Sequence, residues 1–384
     1  MKIIGEKLRQ ARVLNNMSMQ ELATCIGVSK QTILQLEQGS TQPKMDTLFK
    51  IVSVLKYPLD FFTKDIQHKA EVRNNFFRSF KSATALNKST WEEKARLVYV
   101  LYNAILMKYL SLPEIDLPQD DDVFNKLVES RDYDGIAMYL RKYWQIGVRP
   151  IRNMVGLLES KGFVISEVSG EGKIDAFTQS YKNNNQHCII LDNHFQLMAR
   201  RNFNLAHELG HIILHSGIDR LEVTLEKEME MEKEANNFAS AFLMPKQEFI
   251  RILQRVRTMK DFVPIKNNWY VSIKAMIRRA FELNIFDFYQ YTRFMRNYSF
   301  NFNSKKGGEW LDNEIDVVRP GLFNQSLELL LERKKLTPDS LEQELSTNGI
   351  AMSLRQVADL LSLKEDFFLR YDGGIAEIIS IKSK

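Results

Sequence analysis

The sequence predicts an α+β fold that is mostly α, and three observations carry that prediction. Apolar residues recur every three to four positions along most of the 384-residue chain, the period of half-buried helices. Only between residues 163 and 191 does the spacing change, to short β-prone runs broken by Gly- and Asn-rich turns. The length exceeds one ordinary core, so a series of domains is expected.

Taken in order, residues 4–62 read as five short helices. Ser18 caps Met19–Ile26 with Glu21 completing a capping box, and Gly27 ends that helix. Ser29 caps Lys30–Gln38 and Gly39 stops it. Pro43 and Asp46 introduce a fourth helix to about Leu55, and Pro58 opens a fifth. Two short helices around a glycine form a helix-turn-helix. Residues 65–125 read as a helical linker, amphipathic to about Leu112, with an acidic, Pro-containing break at Pro113–Asp122. Phe163–Val168, Asp175–Tyr181 and His187–Leu191 suggest a small three-stranded antiparallel sheet, turning at Gly170-Glu171-Gly172 and Asn183-Asn184-Asn185. Helices resume near Arg201, and the segment 126–290 is read as one domain. After residue 290 a loop-rich stretch leads into a C-terminal helical region, 291–384. There Thr337-Pro338 is a clear helix start. Ser353–Leu361 faintly resembles half of a second helix-turn-helix, although a packing or ligand-sensing bundle is the simpler reading.

Composition narrows the function classes. Hydrophobic residues at 44% and charged residues at 26% describe a globular chain rather than a disordered one. No apolar run reaches the roughly 18 residues of a membrane span. The first residues lack a secretory signal, so a cytoplasmic protein is expected. Cys25 and Cys188 stand far apart in apolar stretches, which predicts two buried free thiols and no disulfide. Residues 1–64 hold nine Lys/Arg against five Asp/Glu, a balance compatible with phosphate contact.

The chemistry concentrates in His207-Glu208-Leu209-Gly210-His211. Helical spacing puts His207 and His211 one turn apart on one face, where both imidazoles reach one ion. Glu208 sits about 100° round the helix, placed to act as a general base without ligating. Leu205, Leu209, Ile212 and Ile213 make the rest of the helix apolar, and burying three ionisable groups there is costly unless a metal compensates. A catalytic zinc site wants a third protein ligand and an open position. The run Glu232-Lys233-Glu234-Ala235-Asn236 begins 21 residues after His211. Glu234 borders the buried face marked by Ala235, Phe238, Ala239 and Phe242 and is favoured as ligand, with Glu232 as the alternative. His215 either supports the metal site or caps the helix C-terminus.

These residues resemble the ImmA/IrrE family of bacterial metallopeptidases. The likeness runs through the His187–Leu191 strand, Phe203–His211, Glu234-Ala235-Asn236 to Phe242-Leu243-Met244-Pro245, and Trp269–Ile273. It covers about residues 130–290. The resemblance implies a zincin-like peptidase domain, zinc on His207, His211 and a downstream Glu, Glu208 as general base, and a partner transcriptional repressor as substrate. The His187–Leu191 strand is also read as an edge for pairing with an extended peptide.

The segment Val28–Gly39 resembles the recognition helix of phage-repressor-type (XRE/Cro) domains, and residues 1–64 are read as that five-helix lambda-repressor-like domain. Ile33 and Leu36 would face its core. Lys30, Gln31, Thr32 and Gln35 would point into the major groove of a double-stranded operator. Such domains usually bind DNA as dimers, so a homodimer is implied. Together the two modules suggest a DNA-binding regulator that cleaves a specific repressor or antitoxin-like partner, of the kind found at toxin–antitoxin loci. The competing reading is a non-enzymatic transcription factor or antitoxin that uses the zinc fold as a sensor or platform.

Overall fold

The computed structural model describes residues 2–66, 71–77, 84–169, 174–182, 185–194, 197–218, 223–302 and 308–371. The chain packs as two compact units, each discontinuous in sequence. One comprises residues up to Ala70, Thr84–Leu112 and from Gly321 on; the other comprises Glu71–Ala83 and Pro113–Pro320.

In the first unit, helices α1 (Gly5–Leu14), α2 (Met19–Ile26), α3 (Lys30–Glu37), α4 (Met45–Leu55) and α5 (Leu59–Thr63) follow the expected order. The local signals act as read. Ser18 and Glu21 form the capping box of α2, and Gly27 closes it at φ +73, a left-handed conformation that favours glycine. Leu8, Leu22, Ile33, Leu36, Ile51 and Phe61 fill the core between these helices. Helix α6 (Ala85–Leu101) continues through a π-helical stretch at Tyr102–Leu106 into α7 (Met107–Tyr109), and it lies against α1. The buried Thr90 hydroxyl donates to the Val13 carbonyl at 2.8 Å. Helices α17 (Leu322–Glu332), α18 (Pro338–Thr347) and α19 (Leu354–Leu360) belong to the same unit. The buried Lys7 ammonium donates to the Gly349 carbonyl and stands 4.7 Å from the Phe61 ring centroid. In α19, Gln356 donates to the carbonyl of Lys56, so this helix is a packing element.

The second unit opens with strand β1 (Val72–Phe77), which corrects the helical reading of this stretch. Helices α8 (Asp122–Glu129), α9 (Tyr133–Tyr143) and α10 (Met154–Ser160) follow, then β2 (Val164–Val168), β3 (Ala176–Tyr181) and β4 (His187–Asp192). The sheet order is β1-β3-β4-β2, with β3 antiparallel to both β1 and β4, and β2 parallel to β4. The expected three-stranded antiparallel sheet is therefore a mixed four-stranded one. Only the β3–β4 pair is the hairpin read from the sequence; β2 skips past β3, leaving that position to β1. The turn residues Gly170–Gly172 and Asn183-Asn184 lie outside the described residues. Strand β4 is central, flanked on both sides, and so cannot be the free edge expected for peptide pairing.

Below the sheet run α11 (Met198–His215) and α12 (Leu225–Leu243), followed by α13 (Lys246–Leu253), α14 (Phe262–Trp269), α15 (Ile273–Glu282) and α16 (Phe288–Asn301). Helix α16 extends to Asn301, further than the loop expected there, because Asp287 and Gln290 cap its start and Phe294 anchors it. One hydrophobic core joins α9, the sheet, α11, α12 and α15 through Leu140, Ile189, Leu205, Phe238 and Ile277. Cys188 is buried on β4. Cys25 is exposed, against expectation, because the buried face of α2 passes through Leu22, Ala23 and Ile26. No helix among the described residues is long and apolar enough to cross a membrane.

Burial, and then the Arg96 charge, lowers the Lys7 pKa from 10.5 to about 7. A base whose folded pKa lies below its unfolded value binds fewer protons when folded, so stability rises with pH between about 7 and 10.5. Hydrogen exchange of α1 amides, corrected for intrinsic rates, should show protection rising by roughly 1 kcal/mol per pH unit over this window. The Lys7→Met variant should lack that rise; equal slopes in both proteins would contradict the assignment.

Candidate functional site

The site forms where α12 crosses closely over α11. At Gly210 a Cβ would lie 3.1 Å from the Phe238 ring and 3.2 Å from the Ala235 Cα. Any larger side chain would push α12 away, so glycine at the fourth position of the motif sets the helix separation.

His207, Glu208, His211 and His215 are all completely buried. The Nε2 atoms of His207 and His211 lie 3.0 Å apart. Glu232 Oε1 is 3.1 Å from His211 Nε2, and Oε2 is 3.4 Å from His207 Nε2. Metal–donor bonds of about 2.0–2.1 Å in a tetrahedron give donor separations of about 3.3–3.4 Å, so these three groups match the edges of a zinc-sized site. Burial alone would push the Glu232 carboxyl up, but its contacts with His207 and His211 outweigh this and hold it well below the usual carboxylate range. Two histidines and one carboxylate form the donor set of hydrolytic metal sites.

Glu234 does something else. Its Oε2 lies 2.8 Å from His215 Nε2, and its Oε1 accepts from Arg131 Nε at 2.8 Å. The structure brings Glu232, and not the favoured Glu234, to His207 and His211. The sequence reading favoured Glu234 because it borders the buried face of the helix, and kept Glu232 as the alternative. Glu234 is indeed the more buried, but its pocket is made by Arg131, Tyr133 and His215. Arg131 occupies the left-handed region at φ +57 and also donates to the Val128 carbonyl, which aims its guanidinium at Glu234.

The hydrogen-bond chain fixes the protons on both histidine pairs. Burial, then the neighbouring His211, lowers the His215 pKa to about 4, so it is neutral at physiological pH. Its one proton faces the Glu234 carboxylate from Nε2, leaving Nδ1 as an acceptor. His211 Nδ1, 3.0 Å away, must then be the donor, which leaves the His211 Nε2 lone pair directed at the site. Likewise His207 Nδ1 lies 3.0 Å from Asn236 Oδ1 and donates to it, freeing Nε2 for a metal. On Glu208, Oε2 accepts from the Thr178 hydroxyl on β3 at 2.5 Å. Sequence reasoning missed Thr178, Asn236 and Arg131. Asn236 carried a signal, standing one helical turn beyond Glu232; Thr178 and Arg131 come from elements distant in the chain.

At the other site, Lys30, Gln31 and Gln35 are exposed on α3, while Ile33 and Leu36 are buried as expected. Thr32 is half-buried, with its hydroxyl 2.9 Å from that of Ser29 and its amide held by Ser29 Oγ. Arg12 and Glu37 form a buried ion pair that ties α3 to α1, with a second bond of 3.0 Å between Nη2 and Oε2.

If Glu232 is the third ligand, Glu232→Gln should weaken Zn2+ binding by more than the roughly 10- to 100-fold typical of an outer partner. Glu234→Gln and Gly210→Ala should each cost only about tenfold. Competition against a chromogenic chelator ranks the three, and a larger loss for Glu234→Gln than for Glu232→Gln would return Glu234 to the metal.

Comparison with known proteins agrees with this picture. Residues 161–281 match the IrrE N-terminal-like domain, a metallopeptidase-type family, and residues 8–62 match the helix-turn-helix family. The cryptic phage CTXphi transcriptional repressor RstR of Vibrio cholerae is 27% identical over 106 residues, 28% of this chain and 90% of that protein. An uncharacterised HTH-type transcriptional regulator of Methanocaldococcus jannaschii is 42% identical over 45 residues, 12% of this chain and 68% of the relative. An uncharacterised transcriptional regulator in the ATPase CF(0) region of Rhodospirillum rubrum is 33% identical over 64 residues, 17% of this chain and 59% of its own length. The chain belongs to the helix-turn-helix transcriptional regulators, with an XRE-type DNA-binding domain fused to an IrrE N-terminal-like domain of metallopeptidase type.

Proposed function

We propose that this DNA-binding regulator is also a zinc endopeptidase that cleaves a specific protein partner, a transcriptional repressor or antitoxin-like protein. The observation that carries this reading is the convergence of His207, His211 and Glu232 beside Glu208 on the same buried helix. A purely structural metal site has no need of Glu208. Zinc, when held by the three ligands, supplies Lewis acidity for peptide hydrolysis at neutral pH. Glu208 takes a proton from the attacking water as its oxygen bonds to the peptide carbonyl carbon. The carbon–nitrogen bond then breaks, and Glu208 returns that proton to the leaving amine. The Thr178 hydroxyl orients Glu208. His215, Glu234 and Arg131 hold His211 in the ligating tautomer.

The helix-turn-helix end reads an operator through Lys30, Gln31 and Gln35, with Thr32 divided between the cap and the groove, and it does so as a homodimer. Support comes from the exposure of those side chains and from the ion pair that holds α3.

Two measurements test the halves separately. With a partner identified by co-expression, Glu208→Gln should retain zinc and lose cleavage, by a factor on the order of 100 or more in rate. Should Glu208→Gln act as wild type in cells while His207→Ala does not, the metal is structural and the chain is a sensor. On operators selected from random duplexes, Gln31→Ala or Gln35→Ala should cost roughly 1–3 kcal/mol and relax specificity at one base position. Uniform weakening across sequences would reassign them to the backbone.

A further inference from the structure

A cleft of about 950 Å³ opens beside the metal ligands, and Glu232 and Asn236 form part of its wall. It lies wholly within the second unit, between α11, α12, α15 and α16. Its lining has two characters. Phe203, Tyr291, Met295, Tyr298 and Phe302 give one part a broad apolar and aromatic surface. Elsewhere the wall is charged, and its carboxylates other than the candidate ligand have cationic partners. Asp175 pairs with Arg200 at 2.7 Å and Glu282 with Arg278 at 2.9 Å. Glu309 and Asp312 share the buried Lys266, and Glu309 also accepts from the amides of Ile273 and Lys274. The ammonium groups of Lys233 and Lys274 are different. Both line the cleft on exposed residues, and among the described residues neither has a carboxylate within ion-pair distance. Lys233 directly follows Glu232, so one of these cations stands next to the metal.

We infer that the cleft recognises an extended peptide carrying a bulky apolar side chain, seated on the aromatic surface, and an acidic residue that faces Lys233 and Lys274. A volume near 1,000 Å³ with apolar lining and few oriented charges suits a short peptide segment. Lys233 and Lys274, the cations of this wall without a carboxylate at ion-pair distance among the described residues, favour a negative partner at that place. This deepens the peptidase reading and rests on it, since it names the class of sequence that reaches Glu208.

The test uses the full-length Glu208→Gln protein with zinc and four labelled, end-blocked decapeptides. They pair a central Phe or Ala with flanking Glu or Lys, and binding is read by fluorescence anisotropy. The Glu–Phe peptide should bind at least about tenfold more tightly than the other three. Adding Lys233→Glu and Lys274→Glu should reverse the preference to the Lys–Phe peptide. Adding Tyr298→Ala should weaken both Phe peptides and leave the Ala peptides unchanged. Equal binding of all four, or none, overturns the inference. A degenerate peptide pool exposed to wild type and to Glu208→Gln separates the two layers. Glu208-dependent cuts without a bias for acidic and bulky residues would sink the cleft assignment and keep the peptidase. Selective binding without any Glu208-dependent cut would sink the peptidase and keep the cleft as a recognition site.

Discussion

The contact on which the candidate centre depends is the close packing of α12 on α11 at Gly210. Helices ordinarily pack with axes about 8–10 Å apart, according to the side chains between them. Here the absence of a Cβ at Gly210 admits Ala235 and Phe238, and this brings the whole polar edge of α12 within reach of the histidines. Glu232 and Asn236, one turn apart on α12, meet His211 and His207, while Glu234 on another side of the helix meets His215. A wider separation would strand buried histidines without partners, which is costly in an apolar core.

That constraint explains why so many ionisable groups can be buried together. Negative charge enters from Glu232 and Glu234, and Arg131 answers the second from the rim. The opposing effects are visible in single groups: burial raises the Glu234 carboxyl, and its bonds to His215 and Arg131 lower it below its ordinary value. The chain from Arg131 to His211 is thus a way of setting one tautomer at the site. Asn236 does the same for His207 in a single step.

Local chemistry was readable from sequence and long-range placement was not. The capping boxes, the glycine at φ +73 in the helix-turn-helix, and the histidine spacing are all interactions within a few residues, so the local residues determine them. The parallel pairing of β2 with β4 skips over β3, and the recruitment of Val72–Phe77 into the sheet depends on contacts across about a hundred residues. Helical periodicity over Asp65–Leu112 concealed a strand because β1 is short, and its pairing partner is β3. The choice of third ligand stayed between two residues for a related reason. Two glutamates two positions apart differ by about 200° around a helix, so choosing between them requires knowing what each side of α12 faces. Burial of Glu234 suggested the metal, and the actual neighbour was an arginine from the turn before α9.

The mixed sheet has a consequence for chemistry as well as for topology. Because β1 covers one side of β3 and β4 covers the other, β3 is buried along its whole length. A threonine there cannot direct its hydroxyl to water, and the group within reach is Glu208. The bond limits the rotamers open to the carboxylate. An antiparallel three-stranded sheet would have made β3 its middle strand too, but without β1 on the far side in the same register. The strand contributed from before α6 therefore flanks the strand that carries Thr178, although it lies about a hundred residues upstream.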